Sequence, residues 1–292
     1  MTEAESIWTL LSADNSTIDN EIVDDNIVDE TQQNGELTNS ALCWYWLPGW
    51  SFKATVFEPY YSKLPGAHYG LDYQKLFRAL KSSSNSTGFA EAVALIQSQS
   101  KPGANWVGWS LGGALLGGAA THQNQGASNT IGGIEPRFSC ALATGARFIT
   151  AESITNESSS QGLGSVSGMS QKIFDAFCHG LNQNPAKTLK RFLSLCCQGI
   201  ENSKESQKSL ISKLGQHQIS AEESELLSSS LEWLTQYQLA ADAVDFACYA
   251  QHDALKPAGL EPGSTLGCSH AFLLEPGSQA ELLNRFKACL KR

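Results

Sequence analysis

The sequence lacks several features that would assign it to a class at once. It has no run of about 18 apolar residues, which excludes a membrane-spanning helix on the sequence pattern. Its first residues, Met1–Ser6, lack the basic segment and apolar run of a secretory signal, so we expect a cytoplasmic protein. The eight cysteines form no C-x-x-C pair and no zinc-ligand spacing. We therefore predict buried, reduced thiols and no metal site.

Positive charge is missing from the first part of the chain. Residues 1–40 contain no lysine or arginine but ten of the 29 acidic residues, which leaves 19 acidic and 20 basic residues beyond them. The formal net charge of −9 therefore belongs to this segment, and the remainder is nearly neutral. We predict that residues 1–40 are an acidic, disordered extension with a short helix over Ser6–Ser12. The neutral remainder argues against binding to nucleic acid through a basic face.

Short apolar strands alternate with helices over residues 41–150 and 239–292. The predicted strands are Ala41–Leu47, Ala67–Leu71, Asn105–Trp109, Ser139–Ala143 and Val244–Ala250. The predicted helices here are Tyr73–Lys81, Gly88–Gln99, Leu111–Thr121 and Ser278–Leu290. Such alternation predicts an α/β core, with a mostly parallel central sheet and helices on both faces.

The segment 151–238 has helical patterns only. Its predicted helices are Met169–Asn182, Pro185–Cys197, Ser203–Leu214 and Ala221–Tyr237. An all-helical insert inside an alternating core predicts a lid on that core. Throughout this article, "lid" means residues 151–238.

The string Gly108–Gly113 reads Gly-Trp-Ser-Leu-Gly-Gly and contains the pattern G-x-S-x-G. The string alone is a weak signal, but it joins a predicted strand to a predicted helix, as a nucleophile elbow does. Glycine at 108 and 112 permits a sharp turn that places the Ser110 hydroxyl at the end of the sheet, beside the start of the helix. A tight glycine turn without chemistry is the alternative.

A nucleophilic serine needs a base, and the base needs an acid that orients it. In folds of this type the chain order is serine, acid, histidine. His270 is the only histidine after Asp253, which lies in a loop behind a predicted strand. We therefore predict Ser110 as nucleophile, His270 as base and Asp253 as the orienting acid. His252, next to Asp253, remains an alternative base, and the other histidines are predicted to be structural.

Negative charge on a tetrahedral intermediate requires backbone N–H donors. Leu111 follows the nucleophile directly and supplies the first candidate. The second is expected in the turn after the first core strand, Pro48–Ser51, where we choose the Trp50 N–H. The Trp50 indole either forms a wall of the acyl pocket or is a core aromatic residue.

With these residues placed, residues 42–290 resemble the α/β-hydrolase superfamily and, more narrowly, the pimeloyl-[acyl-carrier protein] methyl ester esterases of biotin synthesis. The resemblance rests on Leu47–Ser51, Gly108–Gly113 and the lid stretch Phe177–Gly199, which includes Lys187–Leu195. It implies a monomeric serine carboxylesterase that hydrolyses the methyl ester of a carrier-bound pimeloyl chain without a metal or organic cofactor. The sequence departs from the family at Pro48, where a histidine is usual, and after Asp72, where no glycine-rich turn follows.

The resemblance also implies a protein partner. Lys187, Lys190 and Arg191 match a segment of that family. In the family, the basic residues of this segment contact the acyl carrier. Between residues 170 and 216 the lid has seven basic and three acidic residues. Because acyl carrier proteins are strongly acidic, this surface would attract one; a solvated helix face is the alternative. A general short-chain esterase or thioesterase, and a non-catalytic hydrolase-like binding protein, are the other functions left open.

Overall fold

A computed structural model describes residues 6–14, 42–83, 87–121, 136–150, 169–200, 203–214, 219–240, 242–255 and 263–291. Seven strands form the main sheet: β1 Trp8–Asp14, β2 Cys43–Leu47, β3 Gly66–Leu71, β4 Asn105–Trp109, β5 Phe138–Leu142, β8 Phe246–Tyr249 and β9 Gly263–Thr265. The short strands β6 Ile149–Thr150 and β7 Met169–Ser170 pair separately.

The α-helices are α1 Glu58–Tyr61, α2 Tyr73–Ser83, α3 Phe89–Ser98, α4 Leu111–Thr121, α5 Gln171–Gln183, α6 Pro185–Cys196, α7 Ser203–Leu214, α8 Ala221–Gln236 and α9 Pro276–Cys289. Short 3-10 segments cover Ala54–Phe57 and Phe272–Leu274. Helices α5 to α8 come between β5 and β8 in the chain and, with β7, make up the secondary structure of the described part of the lid.

The strand order of the sheet is β1-β3-β2-β4-β5-β8-β9. Strand β1 runs antiparallel to β3, and the other neighbouring pairs are parallel. Parallel strands end at the same edge, so the loops after β2, β4 and β8 meet there. In open α/β sheets this carboxyl edge is where ligands bind.

Aromatic side chains fill both faces of the sheet around β2. Trp44 and Trp46 stack with ring centroids 5.6 Å apart, and Phe286 of α9 packs edge-on against both. Tyr45 points to the opposite face, where Trp8 lies 4.3 Å from it, because side chains alternate along a strand. All seven tryptophans of the chain are buried, so the aromatic run at β2 is the centre of the core.

The structure confirms the predicted α/β fold with a mostly parallel sheet and an inserted helical lid. Two predictions are wrong in detail. The lid is not entirely helical, because Met169–Ser170 form β7. Residues Ser6–Ser12 form no helix, because Trp8–Asp14 pair with the free edge of β3 and bury Ile7 and Trp8. This part of the acidic extension therefore belongs to the sheet, whereas the rest of the predicted extension lies outside the described residues.

Candidate active site

Ser110 occupies the sharp turn between β4 and α4. Its backbone has φ = 54°, in the left-handed region that costs a non-glycine residue about 1–3 kcal/mol. Three hydrogen bonds hold it there: its N–H donates to the Leu142 carbonyl (2.8 Å), and its carbonyl accepts from Ala114 N–H (3.1 Å) and the Thr144 hydroxyl (2.8 Å). Backbone strain that is stabilised on all sides in this way is common at functional residues.

The turn at Ser110 brings β4, α4 and β2 close together, and two of its positions have room only for glycine. A Cβ at Gly108 would lie 2.5 Å from the Gly112 carbonyl oxygen, and one at Gly112 would overlap the Leu47 carbonyl oxygen. Both positions therefore exclude any larger residue, as the elbow pattern predicts.

Asp253 and His270 meet at the same edge of the sheet. The Asp253 carboxylate accepts a bond at 2.8 Å from His270 Nδ1, and its second oxygen accepts from Leu255 N–H at 2.8 Å. Both side chains are buried. The bond to Nδ1 places the ring proton on that nitrogen, which leaves Nε2 as the proton acceptor.

The loop that carries His270 is organised by Glu275. Its carboxylate accepts from Cys268 N–H, Ser269 N–H and the Ser269 hydroxyl at 3.1–3.2 Å. The His252 N–H donates to the Cys268 carbonyl at 2.9 Å, which joins the acid loop to the histidine loop. Sequence reasoning missed Glu275; an acid five residues after the predicted base was the available signal.

His270 Nε2 is buried and has no hydrogen-bond partner among the described residues, so no hydrogen bond joins it to Ser110. Trp109 is the residue before Ser110, and its ring lies 5.8 Å from the His270 ring. The Trp109 indole N–H donates to the His270 carbonyl at 3.0 Å. Nucleophile–base bonds often form only in the substrate complex. The structure thus brings the acid and base into contact and leaves the base nitrogen unpaired beside the elbow.

The turn after β2 reaches the elbow from the other side. Phe52 N–H donates to the Gly49 carbonyl at 3.1 Å, and Ser51 has φ = 68°. This bond does not use the Trp50 N–H. The Trp50 indole is fixed against the lid: its N–H donates to the Leu227 carbonyl (2.9 Å), and its ring lies edge-on to Phe192 at 5.0 Å.

Two cavities lie beside Trp50. Cavity A, of about 260 Å³, is lined by Trp50, Ser110 and mostly apolar residues of the lid, with Lys172 and Arg191 as its charged lining residues. Cavity B, of about 300 Å³, is lined by Trp50, Leu111, the turn after β2 and the starts of α2 and α8. Ser110 therefore lines A, Leu111 lines B, and Trp50 lines both. Trp50 is thus both a buried core aromatic residue and a lining residue of the two cavities.

The predicted docking residues Lys187, Lys190 and Arg191 are exposed on one face of α6. In the described part of the chain none of the three forms an ion pair. Arg191 also lines cavity A, so the basic face continues into the cavity.

The eight cysteines are free thiols, and six of them are buried. Burial raises the pKa of the Cys197 and Cys248 thiols to about 11, which keeps them protonated at neutral pH. Among the described residues, no group of three histidine, cysteine or carboxylate side chains is placed to hold a metal ion. Nor does any helix there have the length and apolarity needed to cross a membrane.

The other histidines differ from His270. His68 is buried between two fixed partners, accepting from Trp46 indole N–H at 3.1 Å and donating to the Leu64 carbonyl at 3.0 Å. His179 and His252 are exposed. His122 and His217 lie outside the described residues.

Solved structures with a similar fold include several hydrolases. An esterase from Exiguobacterium antarcticum superimposes with a TM-score of 0.59 at 15% identity, over 87% of this chain and 93% of that one. A bromoperoxidase from Bacillus anthracis gives 0.58 at 11% identity over 86% and 92%. The enol-lactonase from Burkholderia xenovorans LB400 gives 0.55 at 15% identity over 86% and 92%.

No protein-family model matches the sequence, and none of the curated proteins matches it. The similar structures carry names of different activities, so the likeness concerns the fold and leaves the chemistry to the site. The parallel sheet, the elbow after β4 and these superpositions establish that the chain has the α/β-hydrolase fold.

Proposed function

We propose that the protein is a serine hydrolase of carboxylic esters. The observation that carries the proposal is the buried Asp253–His270 pair, whose free Nε2 lies at the same sheet edge as the strained Ser110. The acid and base bond to each other, and Ser110, at the same edge of the sheet, lines cavity A; acyl transfer requires a nucleophile, a base and an acid of these kinds.

The residues would act in two steps. Ser110 Oγ attacks the ester carbonyl carbon while His270 Nε2 takes its proton, and the Trp50 and Leu111 N–H groups bind the oxygen that becomes negative. The tetrahedral intermediate breaks its bond to the alkoxy group, which leaves as the alcohol with the proton from His270. Water then attacks the acyl-enzyme and loses a proton to His270. The bond between the acyl carbon and Ser110 Oγ breaks, His270 returns the proton to Oγ, and the acid is released.

Replacing the nucleophile tests this proposal. We expect Ser110→Ala to lose ester hydrolysis by a factor of about 10⁴ or more, and to lose labelling by a fluorophosphonate, with the unfolding temperature unchanged. Ser278→Ala, which removes a buried hydroxyl on α9, should keep both ester hydrolysis and labelling by the fluorophosphonate. A wild-type protein that is not labelled at Ser110 would instead be a non-catalytic binding protein.

The finer proposal concerns the substrate. The family resemblance, the basic face of α6 and the apolar lining of cavity A with cations at Lys172 and Arg191 support the methyl ester of a pimeloyl chain on an acyl carrier protein. The apolar lining suits the acyl chain, and the cations suit an acidic carrier. Rescue of a biotin-requiring strain that lacks its pimeloyl-ester esterase, with Ser110→Ala as the inactive control, tests this choice.

Cavity B favours a second candidate, a general short-chain carboxylesterase or thioesterase. Its 300 Å³ is about ten times the volume per molecule in liquid water, far more than a methoxy group occupies. A broader enzyme would place a larger alcohol there. The two candidates therefore differ in how the rate depends on the size of the alcohol.

Thr9→Trp separates these candidates. Thr9 is exposed on β1 and lines cavity B, whereas its neighbour Leu10 is exposed but does not line it. If alcohols bind in B, Thr9→Trp should lower kcat/KM for butyl or benzyl esters by about tenfold relative to the methyl ester, and Leu10→Trp should change neither. A wild-type rate that falls steeply from methyl to butyl and benzyl esters, and that neither variant changes, would favour the methyl ester enzyme.

A further inference from the structure

The backbone of the turn that carries the Trp50 N–H is held by a short hydrogen bond from a side chain outside the turn. The Tyr73 hydroxyl donates to the Pro48 carbonyl at 2.6 Å. Proline has no N–H, so the backbone of Pro48 can be fixed by a hydrogen bond only through its carbonyl. The orientation of the Pro48–Gly49 peptide therefore depends on this bond and on the packing around it.

Tyr73 is well placed to act as a permanent donor. Burial raises the pKa of its hydroxyl, so the group stays protonated over the whole range in which an esterase would work. Tyr73 is the first residue of α2, and the Asp72 carboxylate caps that helix by accepting from the N–H groups of Gln74 (3.0 Å) and Lys75 (3.2 Å). The donor thus stands on a rigid element.

The turn also packs directly against the elbow. A Cβ at Gly49 would lie 3.1 Å from the Trp109 ring and 3.4 Å from the Ser110 Cβ. A rotation of the Pro48–Gly49 peptide would move the next peptide, Gly49–Trp50, relative to Ser110. Because oxyanion donors must point at one oxygen position within a few tenths of an ångström, such a rotation weakens stabilisation of the transition state.

We infer that Tyr73 is a positioning residue: through the Pro48 carbonyl it sets the direction of the Trp50 N–H toward the developing oxyanion. The inference rests on the proposed function and adds a residue to that site. Tyr73 also lines cavity B, but its hydroxyl bonds to the turn, through which it acts on the oxyanion donor.

The backbone just before β1 helps to hold the contact between Tyr73 and Pro48. Asp72 N–H donates to the Ile7 carbonyl at 3.1 Å, and Ile7 N–H donates to the Gln99 side chain at 2.9 Å. Ile7 directly precedes β1 and is fully buried. The first described residues of the chain therefore stabilise the segment that presents the Tyr73 hydroxyl.

Tyr73→Phe tests the inference, because it removes the hydroxyl and keeps the ring. We expect kcat for an aryl ester to fall about tenfold with KM within about twofold, and the affinity for a boronic acid, which forms a tetrahedral adduct on serine, to fall by the same factor. The rate of fluorophosphonate labelling should fall similarly. Tyr45→Phe is the matched control: its buried hydroxyl accepts from Lys101 N–H at 2.9 Å on the opposite edge of the sheet, so kcat should stay unchanged.

Unchanged kcat and boronic acid affinity in Tyr73→Phe would overturn the inference, as would equal losses in both variants. If fluorophosphonate labels wild-type Ser110 and labels the Tyr73→Phe variant at the same rate, the inference about Tyr73 fails and the proposed function stands. A wild-type protein that is not labelled at all overturns the proposed function, and this inference with it.

Discussion

At Gly112 the missing side chain decides how closely α4 approaches β2. A Cβ there would overlap the Leu47 carbonyl, a backbone atom that cannot turn aside as a flexible side chain can. The same close approach lets Ser110 keep its left-handed conformation at the end of β4. One glycine therefore supports both the packing of α4 on the sheet and the position of Ser110 at cavity A.

Gly112→Ala should destabilise the protein by about 1–3 kcal/mol, because the added methyl group forces backbone apart. Gly277→Ala is the matched control, since a Cβ at Gly277 in the first turn of α9 meets nothing within 4 Å. There the change should be neutral or stabilise by up to about 1 kcal/mol. Urea unfolding of both variants measures the difference, and equal midpoints would contradict the close approach at the elbow.

Elements defined by local pattern could be predicted from the sequence. Strand β4 and helix α4 have the predicted bounds, because each is a short apolar run and the elbow at Ser110 separates them. Strand β1 could not be predicted, since its conformation depends on the free edge of β3, more than 50 residues away in sequence. An apolar stretch of Ile7–Leu11 fits either a helix or an edge strand until that partner is known.

The residues of the candidate site likewise divide into those that the sequence could predict and those that it could not. The chain order of Ser110, Asp253 and His270 follows from the elbow, and the structure brings the last two into contact. Tyr73 was not predictable, because it bonds to a backbone group whose position only the folded loops define, and for Glu275 the spacing from His270 was the available signal. Side chains that bind backbone leave a much weaker residue pattern than an elbow does.

Across the whole molecule, charge is separated by region. The net charge of −9 comes from residues 1–40, while the exposed face of α6 is basic and adjoins the mouth of cavity A. Residues 41–292 together are nearly neutral. A negatively charged partner would be attracted toward the exposed basic face of α6, which gives its approach a direction.

Reversing charge on α6 tests this direction. We expect Lys187→Glu/Lys190→Glu to raise KM for a carrier-linked ester about tenfold or more while KM for a small free ester stays within about twofold, since neither lysine lines cavity A. Lys204→Glu/Lys208→Glu changes the net charge of the lid equally on another exposed helix, α7, and should leave both substrates nearly unaffected. The loss in the α6 variant should shrink as salt is raised, because screening weakens attraction between exposed charges. Equal losses from both double variants would show that the segment 170–216 attracts through its summed positive charge and that α6 has no docking face of its own.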